Sequence, residues 1–303
     1  MSDIIRAALW MIGAIVSFTS MAIAGRAVSV ELDTFEIMMF RSITGLVVVL
    51  IVASLAGTLR QVNREQFSLH VTRNLAHFIG QNLWFFALPL IPLTQLFALE
   101  FTSPIWVILL APFLLGERLD PIGVFCAALG FIGVMIVTQP FQTEVSIGTV
   151  AAACAAVSFA FTAIFTRRLT RTQSITCIMF WLTVMQAVFG IIGAGYDGDI
   201  ALPSFIALPW IILIGFAGLL AHFCLTKALS LAPASIVMPI DFIRLPVIAV
   251  VAAQIYGEVL DPLVFVGAAI IFGANYINIS FGQLSVTQKL RYGANVASGT
   301  DTD

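Results

Sequence analysis

Two stretches, ALPLIPLTQLFALEFTSPIWVILLAPFLLGERLDP (residues 87–121) and ALSLAPASIVMPIDFIRLPVIAVVAAQIYGEVLDP (residues 228–262), are written to one plan. Each opens on Ala-Leu (Ala87-Leu88, Ala228-Leu229) and sets a proline soon after (Pro92, Pro233). Each then carries one acid in mid-course (Glu100, Asp241) and closes on Gly-Glu and Asp-Pro (Gly116-Glu117 with Asp120-Pro121, Gly257-Glu258 with Asp261-Pro262). Every pair is separated by the same 141 residues. Between the punctuation each stretch is apolar for about 20 residues, the length that crosses the hydrocarbon of a bilayer.

Working outward, the same offset holds along the chain. Ser17-Phe18 lies over Ser158-Phe159, Arg26 over Arg167, and Ile37-Met38-Met39-Phe40 over Ile178-Met179-Phe180-Trp181. The first half offers five membrane spans, at 7–28, 35–57, 69–90, 93–115 and 121–139. The second offers 148–167, 173–194, 206–227, 233–256 and 261–282. The fold class expected is therefore an all-α membrane protein of ten transmembrane helices in two five-helix repeats, 1–141 and 142–282. An odd number of spans per repeat inserts the second upside down, a plan that secondary transporters use, with a solute site near the midplane. Duplication for packing alone is the plainer alternative. The polar stretch 283–303 reads as a disordered cytoplasmic tail.

Composition agrees with lipid. Of 303 residues 60% are hydrophobic and 10% charged, with a mean hydropathy of +1.05, whereas soluble domains carry about 25% charge. Secreted, cytosolic-enzyme and nucleic-acid-binding readings are excluded, the last also by a net charge of -2. Cys126, Cys154, Cys177 and Cys224 lie in apolar stretches without metal spacing and read as small buried hydrophobes. The opening MSDIIRAALWMIGAIVSF reads as a retained first span rather than a cleaved leader.

Charge placement sets a topology. With both termini cytoplasmic, Arg6, Arg60, Arg64, Arg73, Arg118, Arg167, Arg168, Arg171, Lys227, Lys289 and Arg291 fall on or near the inner side. Arg26 alone falls outside, with Glu31, Asp33, Glu144, Asp197, Asp199, Glu258 and Asp261, as the positive-inside rule requires.

The residues resemble a known family. ALPLIPLTQ, Pro104 and LLGERL, echoed by ALSLAPAS, Pro246 and YGEVL, are similar to the EamA-type branch of the drug/metabolite transporter superfamily over residues 7–282. FEIMMFRS, RNLAHFIGQNLWF and ALEFTSPIW resemble its bacterial riboflavin-transporter branch. The resemblance implies ten helices in two inverted repeats in the bacterial inner membrane. It also implies a central cavity lined by helices one to four and six to nine, and transport without ATP hydrolysis.

Charges inside the spans mark the candidate site. Each costs about 2.5–3.5 kcal/mol at mid-bilayer on insertion scales, so Arg41, Glu100, Asp241 and Arg244 must face one another or a wet cavity. Asp241 and Arg244 share a helix face at i and i+3. Salt bridges that lock the halves together are the structural alternative to a solute site. Pro104 and Pro246 free the carbonyls of Glu100 and Phe242 beside these charges, and Pro239 adds a third break. In the third span Asn74, His77 and Gln81 form a polar stripe with Asn82 adjacent; hydrogen bonding between helices is its alternative use. His222 reads as structural and His70 as loop or interface. Trp10 and Trp210 read as interface residues, and Trp84, Trp106 and Trp181 as deep rings that either stack on a planar solute or pack. Asn275, Asn278 and the small residues Gly123, Ala127, Gly130 and Gly133 suit close helix contacts.

The expected function is secondary transport of a small polar organic metabolite, a riboflavin-like vitamin or an amino acid, by alternating access. Arg41, His77, Gln81, Asn82, Trp84, Glu100, Asp241 and Arg244 bind it, with a proton as candidate coupling ion. No cofactor, metal or catalytic residue is expected, and Walker A, H-E-x-x-H and G-x-S-x-G motifs do not occur. A passive facilitator and an intramembrane enzyme are the alternatives.

Overall fold

Four helix beginnings are set by short polar side chains. Ser2 accepts from the Ile5 amide to start α1 (Asp3–Val28), and Ser174 accepts from Cys177 to start α8 (Ile175–Ala194). Reciprocal boxes start two more: Asp33 with Glu36 at α2 (Thr34–Leu55), and Ser146 with Thr149 at α7 (Ile147–Leu169). The computed structural model describes residues 2–116, 121–138, 146–196 and 198–257, and then 262–263, 265–267, 269–274, 276–277 and 280–281. The other helices are α3 (Phe67–Ala87), α4 (Leu93–Glu100), α5 (Ser103–Leu115), α6 (Pro121–Thr138), α9 (Leu208–Leu231), α10 (Ala234–Ile240) and α11 (Arg244–Tyr256). Helix continues in the described part of Phe265–Ala274. Among the described residues there is no strand.

Seven helical stretches are long and apolar enough to cross a membrane, taking 93–115 as one and 236–256 as another. α3 is not among the seven although its 21 residues would span about 31 Å. Its buried face explains why: His70, Arg73, Asn74, His77 and Gln81 all point inward. Charged and polar side chains are buried within the core, and the outer face is apolar. Ile12, Val16, Ile51, Phe113, Ile192 and Phe216 are each more than half exposed, while Arg41, Arg73, Asp241 and Arg244 are buried. Such an outer face needs lipid.

The internal repeat appears in the element boundaries. Helix starts at Thr34, Phe67, Leu93 and Ser103 recur at Ile175, Leu208, Ala234 and Arg244, each 141 residues on. Gly116 and Gly257 both end their helices in the left-handed region, at φ 64° and 66°, which glycine adopts without strain. Packing follows the same exchange: α1 lies on α9 as α7 lies on α3, α4 on α11 as α5 on α10, and α2 on α8. Small residues permit close approach, since a Cβ on Gly130 would lie 2.5 Å from Phe242 and one on Gly133 2.9 Å from the Gly267 carbonyl.

Both proline-marked regions are broken helices. α4 ends at Glu100, the chain turns through Phe101 and Thr102, and α5 begins with Pro104 in its first turn. In the second half α10 contains Pro239, and Asp241–Ile243 form one 3-10 turn before α11. The loop charges Arg118, Glu144, Asp197, Glu258 and Asp261, together with Asn275, Asn278 and the tail, lie outside the described residues.

Candidate functional site

The two breaks bring three charges together. Arg244, the first residue of α11, reaches the Glu100 Oε1 at the end of α4 with the same Nη2 that lies 2.7 Å from Asp241 Oδ2. Trp84 Nε1 on α3 donates to the other Glu100 oxygen at 2.7 Å. The rings of Phe18, Phe97 and Phe101 stand 4.9, 5.0 and 5.2 Å from the guanidinium carbon, a cation–π setting that excludes water. Two carboxylates sharing one cation leave this node with an excess of negative charge, and Asp241 Oδ1 and Arg244 Nε have no partner.

A second polar cluster lies toward the start of α3. Arg41 on α2 donates to Gln81 Oε1 and lies 3.4 Å from Met38 Sδ. Its guanidinium rests on α9, where a Cβ at Gly218 would come within 3.0 Å of Nε and Nη2. Arg73 donates from Nε to Thr166 Oγ1 at 3.1 Å and from Nη1 to Asn74 Oδ1 at 2.8 Å. His77 and His222 meet edge to face with centroids 4.4 Å apart.

One cavity, about 60 Å³, joins the two clusters and is lined by His77, Gln81, Trp84, Glu100, Asp241 and Arg244. Ligand pockets hold roughly 300–1,000 Å³, so an organic solute enters only when the walls part. A larger cleft of about 580 Å³ between α1, α2, α8 and α9 is lined by apolar groups such as Val52, Phe216 and Leu220 and contains no charged residue. Among the described residues no group of three or more His, Cys, Asp or Glu is placed to hold a metal.

Of the eight residues singled out from the sequence, six line the cavity and Arg41 is one hydrogen bond away. Asn82 is not part of it: its amide turns back to the Phe78 carbonyl of its own helix at 2.8 Å. Trp106, expected deep, is 41% exposed on the outer face of α5. Trp181 donates to the Asn63 carbonyl at 2.8 Å and packs edge-on against Phe67, at the end of the bundle. Cys154, expected buried, is exposed. Two site residues escaped the sequence reading. His222, read as structural, lines the cavity, and Arg73, read as an edge charge, is buried at 1% exposure. The signal for Arg73 was its place four residues before His77 on the polar stripe. Of the two salt bridges weighed as the structural alternative, the structure shows one three-charge node on Arg244, while Arg41 meets the Gln81 amide.

The profile of the EamA-like transporter family matches residues 5–139 and matches again over 146–280. The chain belongs to the EamA-like transporter family. Curated relatives agree with this family and differ in cargo. The chain is 25% identical to an S-adenosylmethionine uptake transporter of Rickettsia bellii, over 93% of this chain and 96% of that protein. It is 30% identical to a riboflavin transporter of Brucella anthropi, over 71% of this chain and 78% of that one. A solved crystal structure shares the fold with a TM-score of 0.76 at 17% identity, over 92% of this chain and 98% of that chain. As an EamA-like transporter it is an integral, multi-pass membrane protein, and its relatives handle small molecules.

Proposed function

We propose that this chain is a secondary transporter of a small polar organic metabolite that works by alternating access. Ten spans in two inverted halves, with both termini cytoplasmic, carry the motion in the bacterial inner membrane. The observation that carries this reading is the node in which Arg244 of the second half holds Glu100 of the first and Asp241 of its own. Arg244 and Glu100 form an ion pair across the two halves beside the cavity, so in this reading separating them opens the cavity to one side. Broken helices beside the node supply hinges and free backbone groups, an arrangement tolerated where protein or a cavity's water satisfies them.

In this reading Glu100 and Asp241 receive solute donors or a coupling proton, and Trp84 flanks the solute's ring or chain. His77 and Gln81 shape the pocket between. Riboflavin and S-adenosylmethionine are the first solutes to test, taken from the relatives. Purified protein in proteoliposomes should show saturable uptake of one of them and exchange against unlabelled solute. Flux that rises linearly without exchange identifies a passive facilitator instead, and a chemically altered solute identifies an enzyme.

A further inference from the structure

Arg41 and Arg73 are buried cations whose partners are all neutral: an amide and a thioether for Arg41, an amide and a hydroxyl for Arg73. Among the described residues neither comes within 4.0 Å of a carboxylate, whereas Arg244 holds two. Their surroundings are rich in unused polarity. Both ring nitrogens of His77, Nε2 of His222 and Oε1 of Gln186 are buried without a partner. A second small cavity is lined by Arg41, Thr183, Gln186 and His222, and His222 also lines the main cavity, so the two spaces adjoin. Gln186 donates to the Asn74 carbonyl at 2.8 Å, and Asn74 accepts from Arg73, which ties the second arginine to the same compartment.

A buried guanidinium without a counter-charge is strongly disfavoured, and its planar fork matches an oxyanion in two parallel hydrogen bonds. We propose that this compartment is an oxyanion subsite, which takes the carboxylate or phosphate group of the transported solute on Arg41, with Arg73 supplying the second positive charge. Gln81 then acts as the placeholder that occupies Arg41 until the solute displaces it. The inference rests on the transporter reading and narrows its substrate class. Arg73 and Trp84 are eleven residues apart on α3, about 16 Å along the axis, and Trp84 touches the acid-rich node. The cavity is thus positive at one end and acceptor-rich at the other. It suits a bipolar solute, with an oxyanion at the Arg41 end and a cationic or donor group toward Glu100 and Asp241. A neutral ring system without an oxyanion fits it less well.

The test is thermal unfolding of the purified full chain in micelles. Sodium acetate or sodium phosphate replaces sodium chloride at constant ionic strength, up to about 20 mM. The wild type should gain roughly 2–4 °C. Arg41→Gln and Arg73→Gln should lose that gain, and Arg60→Gln, at an exposed arginine, should keep it. Gln81→Glu covers the case in which the arginine variants do not fold. It places a carboxylate on Arg41 where the amide oxygen already sits, so the midpoint should rise and the anion response vanish. Equal responses in wild type and Arg73→Gln, or a Gln81→Glu protein that is less stable and still responds to anions, overturns the subsite. A larger response to acetate assigns a carboxylate solute, and a larger response to phosphate a phosphate ester. An intact anion response without saturable exchange in vesicles overturns the transporter reading and leaves the subsite standing; exchange without an anion response does the reverse.

Discussion

Removing the cation from the three-charge node is the most informative single change. Arg244→Met keeps most of the side-chain volume and leaves Glu100 and Asp241 facing each other, with side chains only 13% and 12% exposed. Breaking a buried ion pair from one side costs about 3–5 kcal/mol, because the remaining charge is stranded. Here one arginine serves two acids and three aromatic rings, which places the loss toward the upper end of that range. At about 2–4 °C per kcal/mol for a domain of 150–250 residues, the midpoint of unfolding should fall by roughly 10–20 °C. Tryptophan emission in micelles reports it, since the Trp84 indole is bonded to Glu100. The triple variant Glu100→Gln, Asp241→Asn, Arg244→Met removes the stranded charges, and replacing a whole buried ion cluster is often neutral. It should recover stability to within about 1 kcal/mol of wild type, yet transport nothing. An Arg244→Met protein as stable as wild type, or a triple variant that transports normally, refutes the reasoning.

Three further changes separate packing from solute contact. Trp84→Phe keeps the ring but removes a donor to a carboxylate, so stability should drop by about 1.5–3 kcal/mol and the solute KM in vesicles should rise. Gly190→Ala sets a Cβ 2.8 Å from the Met39 Cα and 2.9 Å from its nitrogen. α2 and α8 must then part, and a loss of about 1–3 kcal/mol should appear in thermal unfolding. Trp106→Ala, on the outer face of α5, should change stability by less than about 0.5 kcal/mol and leave flux unaltered; a transport defect would return that ring to the cavity.

Local chemistry explains why so much was readable beforehand. Helix starts at Asp33, Ser146 and Ser174 depend on side chains within three residues, and the breaks at Pro104 and Pro246 on the missing amide hydrogen. The 141-residue offset exposed the pairing of Glu100 with Asp241 for the same reason, because both halves repeat one local design. Partner choice is not local. Arg73 lies in the second turn of α3, where a charge ordinarily meets water or headgroups, and His222 lies in the interior of α9. They are buried because α3 packs along α7 and α9 along α1. Trp106 is expected deep from its place within a span that the resemblance puts at the cavity, but the face of α5 it occupies is set by packing, and it lies 41% exposed. Arg167 and Arg171 likewise do more than mark an orientation: they donate to the carbonyls of Leu229 and Leu115, which are left open at helix ends.

The exchanged pairing of α1 with α9 has a consequence for how the chain is made. The inner face of α1, with Ala7, Met11, Ala14 and Phe18, is completed only by a helix that begins at Leu208. At synthesis rates of about 5–20 residues per second, the first helix waits roughly 10–40 s in the bilayer for its neighbour. During that interval Phe18 has no guanidinium to cover and Arg41 has no glycine ridge to rest on. The newborn first half is an incomplete client of the insertion machinery, held in lipid with its polar interior open. Slowing translation ahead of Leu208 should therefore send more nascent chain to membrane proteases than an equal delay placed after Tyr256.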